Sequence, residues 1–224
     1  MVRSLSAFLL SLLVAAAPAL AVRTTRVQVE LPMPQKIDLA GIEKVLVTDF
    51  AVEPEDPTMD LGLEVNHLLR RELKKHTSLL VLDLDPVGIP EQSQADLAAN
   101  RSFWQDLARR YDADLIISGA IDFEVTDRSG FVEETGISPT TGQRIRTTRF
   151  REREGYRLGL NLLFVHGLTG NVLYESGFQE EVVLDGITSD HLSVLFQMFE
   201  RIQPEVLAVV APQKKTEERV LLGY

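Results

Sequence analysis

The second half of the chain contains three stretches in which apolar and polar residues alternate, and no other sequence feature constrains the fold as strongly. The stretches cover residues 115–126, 156–164 and 172–178. An alternation with a period of two is typical of a strand that buries one of its faces. The tight connection at residues 166–171 (HGLTGN) is typical of a hairpin. The sequence therefore predicts three consecutive long strands that pair as an antiparallel meander.

Two glycines in this region are predicted to have structural roles. Gly119 interrupts the apolar row of the first stretch, as expected at a bend or where another backbone comes close. Gly170 lies in the tight connection that precedes the third stretch.

The first half of the chain predicts strands that alternate with helices. Apolar runs at residues 44–52 and 79–84 read as buried strands, and residues 61–76 between them read as an amphipathic helix. A short half-buried strand is expected before this unit, at residues 22–31, and further helices are expected after it.

This order of elements predicts the fold class. A strand-helix-strand start favours parallel pairing, and the later strands add the antiparallel meander. We therefore predict an α/β fold in which helices pack on a mixed sheet. Because the sole linker, residues 86–100, is too short to separate domains, we predict one domain over residues 22–211 and a charged tail over residues 212–224.

The first 21 residues have the pattern of a secretory signal. Arg3 gives a short positive start, and the apolar run at residues 8–17 is shorter than the roughly 20 residues of a membrane-spanning helix. Ala19 and Ala21 then match the small-x-small cleavage pattern. We expect cleavage after Ala21 rather than an uncleaved anchor. Because no later stretch is long and apolar enough for a transmembrane helix, we expect a water-soluble periplasmic protein.

The overall charge limits the classes of partner. The chain has 23 Lys and Arg against 33 Asp and Glu, a net charge of −10 at pH 7. A general nucleic-acid-binding protein needs a basic surface to displace counterions from phosphates, so this balance argues against that class. Cysteine is absent, which excludes disulfides, thiolate chemistry and a lipid-modified N-terminal cysteine.

Motifs that indicate an enzyme are missing. The sequence contains no P-loop, no G-x-G-x-x-G after a strand and no G-x-S-x-G nucleophile elbow. The four histidines are too scattered to form a metal site. We therefore predict no catalytic residues, no metal and no cofactor. One alternative stays open, since Asp83 and Asp85 follow a buried strand, where acids often hold a metal ion or a substrate hydroxyl.

Five arginines form the strongest charge feature of the chain. They lie just before the second alternating stretch and are Arg144, Arg146, Arg149, Arg151 and Arg153. Such a ribbon can bind a polysaccharide, a lipid headgroup or an acidic patch of a protein. Alternatively, its charges only solvate a hairpin and prevent edge-to-edge aggregation. Both interpretations stay open at this point.

Three segments of the chain resemble signatures of the CsgG-like envelope proteins, whose fold group includes LpoB and the N-terminal domain of TolB. The segments are residues 36–50 (KIDLAGIEKVLVTDF), residues 112–121 (DADLIISGAI) and residues 168–174 (LTGNVLY). The likeness covers residues 36–211. It implies a CsgG-like α/β fold and a non-enzymatic envelope protein that acts through protein contacts, often as an oligomer.

Two departures from this family matter for function. The family's curli secretion channel is a lipoprotein, whereas this chain has no cysteine to acylate. The channel also inserts hairpins into the outer membrane, but residues 128–154 offer Arg, Glu, Thr and Gly in place of lipid-facing apolar residues. Each Arg or Lys that faces lipid at mid-membrane would cost roughly 2–4 kcal/mol, so a channel wall is disfavoured.

The resulting prediction is a non-enzymatic, exported periplasmic accessory or assembly protein of the bacterial cell envelope. Its partners would be envelope proteins, including further copies of itself, in curli-type secretion or envelope biogenesis, with peripheral association with the outer membrane. One alternative is a subunit of an outer-membrane secretion pore. Another, from a different class, is a small-ligand-binding protein or hydrolase that uses Asp83, Asp85 and the loop at residues 53–60.

Overall fold

The computed structural model describes residues 23–52, 59–188 and 190–223, and these residues form nine strands and four helices. The predicted signal sequence, with Ala19 and Ala21, lies outside the described residues. The strands are β1 (Arg23–Met33), β2 (Lys44–Val52), β3 (Leu80–Val81), β4 (Leu115–Asp127), β5 (Gly130–Ile137), β6 (Arg144–Arg151), β7 (Arg153–His166), β8 (Val172–Asp185) and β9 (Gln213–Gly223). The helices are α1 (Leu61–His76), α2 (Gln94–Ala99), α3 (Arg101–Tyr111) and α4 (His191–Leu207).

Five of the strands form a central sheet in the order β3-β2-β4-β7-β8. β2 pairs in parallel with β3 and β4, whereas β7 is antiparallel to both β4 and β8. The predicted mixed sheet, with a parallel start and an antiparallel meander, is therefore confirmed. The parallel pairs are possible because α1 and the segment from β3 to α3 provide the crossovers that parallel strands need.

Helices pack on both faces of this sheet and bury two apolar clusters. Successive side chains of a strand point to opposite faces, so β4 sends Ile117 into the larger cluster, beneath α1 and α4, and Ile116 into the smaller one. The smaller cluster surrounds Trp104 of α3, which is fully buried. Its indole N–H donates a hydrogen bond of 2.8 Å to the carbonyl oxygen of Leu97.

The chain divides into two compact units. The larger spans Pro32–Lys215 and holds the central sheet and the four helices. The smaller holds a two-stranded sheet in which β1 pairs with β9, and Arg26 Nε lies 3.4 Å from Glu218 Oε1. The segment predicted to be a charged tail, residues 212–224, thus contributes a strand whose partner lies at the other end of the chain.

The strand expected at residues 79–84 is much shorter in the structure, Leu80–Val81. The buried guanidinium of Arg70 explains where it ends. Arg70 donates hydrogen bonds to the carbonyl oxygens of Leu82 at 2.9 Å and Leu84 at 2.6 Å. These groups are satisfied by a helix side chain, so the chain leaves the sheet without unpaired carbonyls.

Residues 129–142, for which the sequence analysis predicts no strand, form strand β5 and the turn of a further hairpin with β6. Both strands are largely exposed and neither belongs to the central sheet. Neither strand contains a buried residue, so neither shows the apolar–polar alternation of a strand that buries one of its faces.

The two glycines singled out in the sequence lie where another backbone comes very close. A Cβ atom at Gly119 would lie 1.9 Å from the carbonyl oxygen of Asn161 on the neighbouring strand β7. Gly170, in the turn between β7 and β8, has φ +64°, and a Cβ there would lie 2.4 Å from the carbonyl oxygen of Arg101. Both positions therefore require the absence of a side chain.

The aspartates of the DADLIISGAI segment join the start of β4 to the start of β2. Asp114 Oδ2 accepts hydrogen bonds from the backbone N–H groups of Glu43 at 3.0 Å and Lys44 at 2.9 Å. Asp112, in the left-handed conformation that ends α3, binds the Lys44 ammonium. The hydrogen bond from the Lys44 backbone, with that from Glu43, holds the pKa of Asp114 below its ordinary value.

We expect Asp114→Asn to lower the free energy of unfolding by about 1–2 kcal/mol at pH 7, because a charged acceptor of two backbone N–H groups is lost. A carboxyl whose pKa is depressed in the folded state stabilises it above its unfolded pKa, about 3.9, and this contribution is lost as the pH falls through the folded value. The free energy of unfolding, measured with urea between pH 2.5 and 7, should therefore fall less steeply with decreasing pH in the variant than in the wild type. The control is Asp112→Asn, which keeps the left-handed residue and removes one exposed ion pair; equal losses in both variants would contradict the proposed role of Asp114.

Candidate interaction surface

The hairpin of β5 and β6, residues 130–151 and hereafter the arm, extends the β4–β7 ladder beyond the central sheet. The register is the same on both sides of a short interruption, since Asp127 pairs with Glu154 and Gly130 pairs with Arg151. β8 pairs with β7 and not with β6, so the arm has two strands and no further sheet neighbour among the described residues. Every residue of β6 is exposed.

The arm exposes large apolar side chains. Phe131 is 76% exposed, Ile137 71% and Phe150 57%. Phe131 and Phe150 face each other across the ladder, with their ring centres 5.3 Å apart in an edge-to-face arrangement. Such a cross-strand aromatic pair stabilises a hairpin, yet here it leaves most of both rings in contact with solvent.

The five arginines predicted as an interaction surface fall into two groups. Arg144, Arg146 and Arg149 lie along β6, are exposed, and form no ion pair within 4 Å among the described residues. Together with Arg151 they give β6 four positive charges and no negative one. With four Arg and two Glu, the arm has a net charge of +2 at pH 7. Because the whole chain has a net charge of −10, the remaining residues together have −12.

Arg151 and Arg153 instead fix the base of the arm. The Arg151 guanidinium binds Glu134 of β5, and its Nη1 lies 3.5 Å from Asp185 Oδ2. Arg153 Nε lies 2.9 Å from Asp185 Oδ1. The hydrogen bond and charge of Arg151 hold the pKa of Glu134 below its ordinary value. These two arginines are therefore engaged within the chain.

Strand β8 forms an edge of the central sheet. It is 14 residues long, pairs with β7 on one side, and has no strand on its other side in the part of the chain that the structure describes. Its alternate residues are exposed, whereas Val182 and Leu184 are only half-buried against the larger cluster. β8 carries four acids and no basic residue; the acids are Glu175, Glu180, Glu181 and Asp185.

A cavity of about 630 Å³ lies over β4 and β7, beside the segment that leads into α2. Its polar lining includes Asp122, Glu124 and Asn161. The guanidinium of Arg157 lies 3.3 Å from Asp122 Oδ2 and 2.8 Å from Glu124 Oε1. One cation thus engages both carboxylates, so the cavity does not present a pair of unpaired acids for acid–base chemistry.

Asp83 and Asp85 do not line this cavity. The carboxylate of Asp83 is largely exposed and lies 2.7 Å from Arg70 Nη2 and 3.3 Å from Lys74 Nζ. Asp85 is exposed. Of the loop that the alternative function also invoked, residues 53–58 lie outside the described part of the chain. Asp83 supports the guanidinium that ends β3, and the structure does not bring it together with Asp85 at a site.

The described residues show neither a metal-binding cluster nor a membrane-spanning helix. Among the described residues, no group of three or more His, Asp or Glu side chains is arranged to hold a metal ion. In the same part of the chain, no helix combines the length and apolar character needed to cross a membrane. Of the histidines, His76 lies 3.4 Å from Glu72 on its own helix, and the ring of His191 packs edge-on against Tyr156.

The aromatic pair of the arm was not singled out in the sequence analysis, although a signal for it exists. The segment SPTTGQ at residues 138–143 has the Pro and Gly of a turn. Phe131 and Phe150 lie equally far from the centre of this turn, as cross-strand partners of a hairpin do. A search for symmetry about the turn would have paired them.

No protein-family model and no curated protein sequence matches this chain. Several solved structures of bacterial proteins show a partial likeness. The PelC dodecamer from Paraburkholderia phytofirmans is 14% identical, with a TM-score of 0.40, over 84% of this chain and 99% of that one. A neuraminyllactose-binding hemagglutinin homolog from Helicobacter pylori is 12% identical, with a TM-score of 0.40, over 80% and 89%. Lipoprotein GNA1162 from Neisseria meningitidis is 12% identical, with a TM-score of 0.38, over 74% and 98%.

These likenesses assign neither a family nor a function to the chain. The CsgG-like assignment therefore stays a prediction.

Proposed function

We propose that this chain is an exported, non-enzymatic accessory protein of the bacterial cell envelope, and that it acts in secretion or envelope assembly by binding partner proteins through the arm. The observation that carries the proposal is the exposure of Phe131 and Phe150, 76% and 57%, on a two-stranded ribbon whose second strand is exposed along its whole length. The secretory pattern of residues 1–21 supports the exported location.

Exposed aromatic side chains on such a ribbon indicate that a partner covers them. A two-stranded hairpin is only marginally stable in water, and exposed strands with apolar side chains favour aggregation. Burying a phenylalanine side chain fully contributes about 1.5–3 kcal/mol, so a surface that covered both rings would gain affinity and would order the arm. Contiguous apolar groups rimmed by polar ones mark interaction sites.

The residue types of the arm fit a protein partner better than a lipid one. Aromatic residues and arginine are enriched at protein–protein interfaces. Both faces of the arm carry arginine, since Arg144 and Arg146 lie on one face and Arg149 and Arg151 on the other. A ribbon that crossed a membrane would turn one of these pairs toward lipid, at roughly 2–4 kcal/mol per arginine near the midplane.

The test is photo-crosslinking in living cells with a photoreactive phenylalanine analogue placed at position 131 or 150. We expect covalent adducts with one or a few proteins of the envelope fraction, identified by mass spectrometry. The matched control is the same analogue at Leu168, which is 82% exposed in the turn between β7 and β8. Absence of protein adducts from both arm positions, or identical adducts from Leu168, would contradict the proposal.

Other outcomes would favour the alternative functions. Ion conductance through liposomes, or extraction from cells only with detergent, would favour a subunit of a secretion pore. Hydrolytic activity or small-ligand binding that is lost in Asp83→Asn and Asp85→Asn would favour the enzyme or ligand-binding protein. Each of these results would count against a purely protein-binding role.

A further inference from the structure

Strands β6 and β8 each keep one edge unpaired among the described residues. β8 has 14 residues and β6 has eight. An unpaired edge presents a row of backbone N–H and C=O groups on which another strand can add. At about 3.3 Å per residue, β6 spans about 26 Å, so its whole length can pair along the longer β8.

The two strands have opposite charge. β6 carries four arginines and no acid, whereas β8 carries four acids and no basic residue. Asp185 and Arg151 are already paired within the chain, and Glu180 accepts from Arg201 at 2.8 Å. Of the charges that remain, Arg144 and Arg146 share one face of β6, and Glu175 and Glu181 share one face of β8. Opposite charges on adjacent strands stabilise their pairing.

An exposed apolar side chain of β8 also fits an added strand. Val183 is 57% exposed and lies on the same face of β8 as Glu175 and Glu181. Phe150 lies on the same face of β6 as Arg144 and Arg146, and Phe131 is its cross-strand partner. A pairing that places these arginines beside the two acids therefore brings the exposed rings to the side of the sheet that carries Val183.

The arm cannot reach the free edge of β8 in its own chain. A single residue, Glu152, separates β6 from β7, and Arg151 and Arg153 both bind Asp185 at the end of β8. β6 therefore continues along the line of β7, which occupies the paired side of β8. The arm can therefore pair with the free side of β8 only in another molecule.

We propose that β6 of one copy of this chain adds to the free edge of β8 of a second copy, so that the arms link copies head to tail. The inference rests on the proposed function, because it names a partner for the arm. Each copy then gives one arm and receives another, which makes the interface heterologous. Interfaces of this kind close into a ring or continue as a filament, according to the rotation between neighbours.

The test is a reciprocal charge reversal, read by sedimentation velocity of the protein lacking residues 1–21. Arg144→Glu with Arg146→Glu should weaken self-association roughly 10- to 100-fold, because like charges then meet across the interface. Glu175→Arg with Glu181→Arg should weaken it similarly. The four substitutions together, and a mixture of the two double variants, should both restore it. The matched control is Arg109→Glu with Arg110→Glu, exposed arginines on α3 that lie outside the proposed interface.

A second measurement locates the contact independently of charge. The chain has no cysteine, so a protein with Thr148→Cys in β6, on the same face as Arg144 and Arg146, can be mixed with a protein that carries a single Cys at Gln179 or Glu181 of β8. We expect a disulfide-linked dimer to form faster in a mixture than in either protein alone. Any one of three results would overturn the inference. The wild-type protein stays monomeric at about 100 μM; the arm variant associates as strongly as the wild type; or the fourfold variant is folded but does not associate.

The outcomes also separate this inference from the proposed function. If the purified protein is monomeric but photo-crosslinking at position 131 or 150 captures a different envelope protein, the self-association is refuted and the protein-binding role stands. If the purified protein is monomeric and instead cosediments with vesicles of phosphatidylglycerol through the arm, both are refuted in favour of a lipid surface.

Discussion

Gly119→Ala is expected to prevent the larger unit from folding stably. The new Cβ would lie 1.9 Å from the carbonyl oxygen of Asn161, and 3.0 Å from its carbonyl carbon. These are backbone atoms of β7, which is held between β4 and β8, so the strand cannot move away without breaking a ladder. We expect a loss of about 3 kcal/mol or more, measured by urea unfolding followed by circular dichroism, and poor yield of folded protein.

The matched control for this prediction is Gly136→Ala in the arm. No atom lies within 4 Å of a Cβ at that position. Where the backbone tolerates it, a Gly-to-Ala change stabilises a protein by about 0.4–1 kcal/mol, because it reduces the conformational entropy of the unfolded chain. The two substitutions should therefore change the free energy of unfolding in opposite directions. A Gly119→Ala protein as stable as the wild type would show that β4 and β7 do not approach as closely as described.

Trp104→Ala is expected to lower the free energy of unfolding by about 3–5 kcal/mol. Trp104 is fully buried in the smaller cluster, and its indole N–H satisfies the carbonyl oxygen of Leu97. Its removal would leave a cavity between α3 and the central sheet and would loosen α2, to which Leu97 belongs. For a chain of this size the loss corresponds to a fall in Tm of about 6–20 °C.

This variant lacks the sole tryptophan, so unfolding should be followed by circular dichroism rather than by intrinsic fluorescence. Trp104→Phe separates the contribution of apolar packing from that of the indole hydrogen bond, since it keeps most of the apolar volume and removes the N–H donor. We expect it to be clearly more stable than the alanine variant. A loss below about 1 kcal/mol in Trp104→Ala would contradict the burial of this residue in the smaller cluster.

The sequence was sufficient to predict the mixed sheet because its long strands bury one or both faces. The alternation in residues 156–164 reports directly on which side chains of β7 enter the larger cluster. The extent of β3 could not be predicted, because the carbonyls of Leu82 and Leu84 bind Arg70, a residue from the preceding helix. A local pattern contains no information about a side chain that arrives from elsewhere.

The candidate surface was predicted only in part for the same reason. The five arginines were visible as a cluster in the sequence, but their division was not, since Asp185 binds both Arg151 and Arg153 from more than thirty positions away. The acidic edge of β8 was also not recognised. Whether a strand lies at the edge or in the middle of a sheet depends on the whole topology, and both places can show the same alternation.

None of the apolar side chains of the arm belongs to either buried cluster, and this has a consequence for evolution. Substitutions of the apolar side chains in the arm should therefore leave the packing of both clusters unchanged. Under the proposed function, recognition and folding depend on separate sets of residues, so a protein of this design can acquire a new binding specificity without compensating mutations in the core.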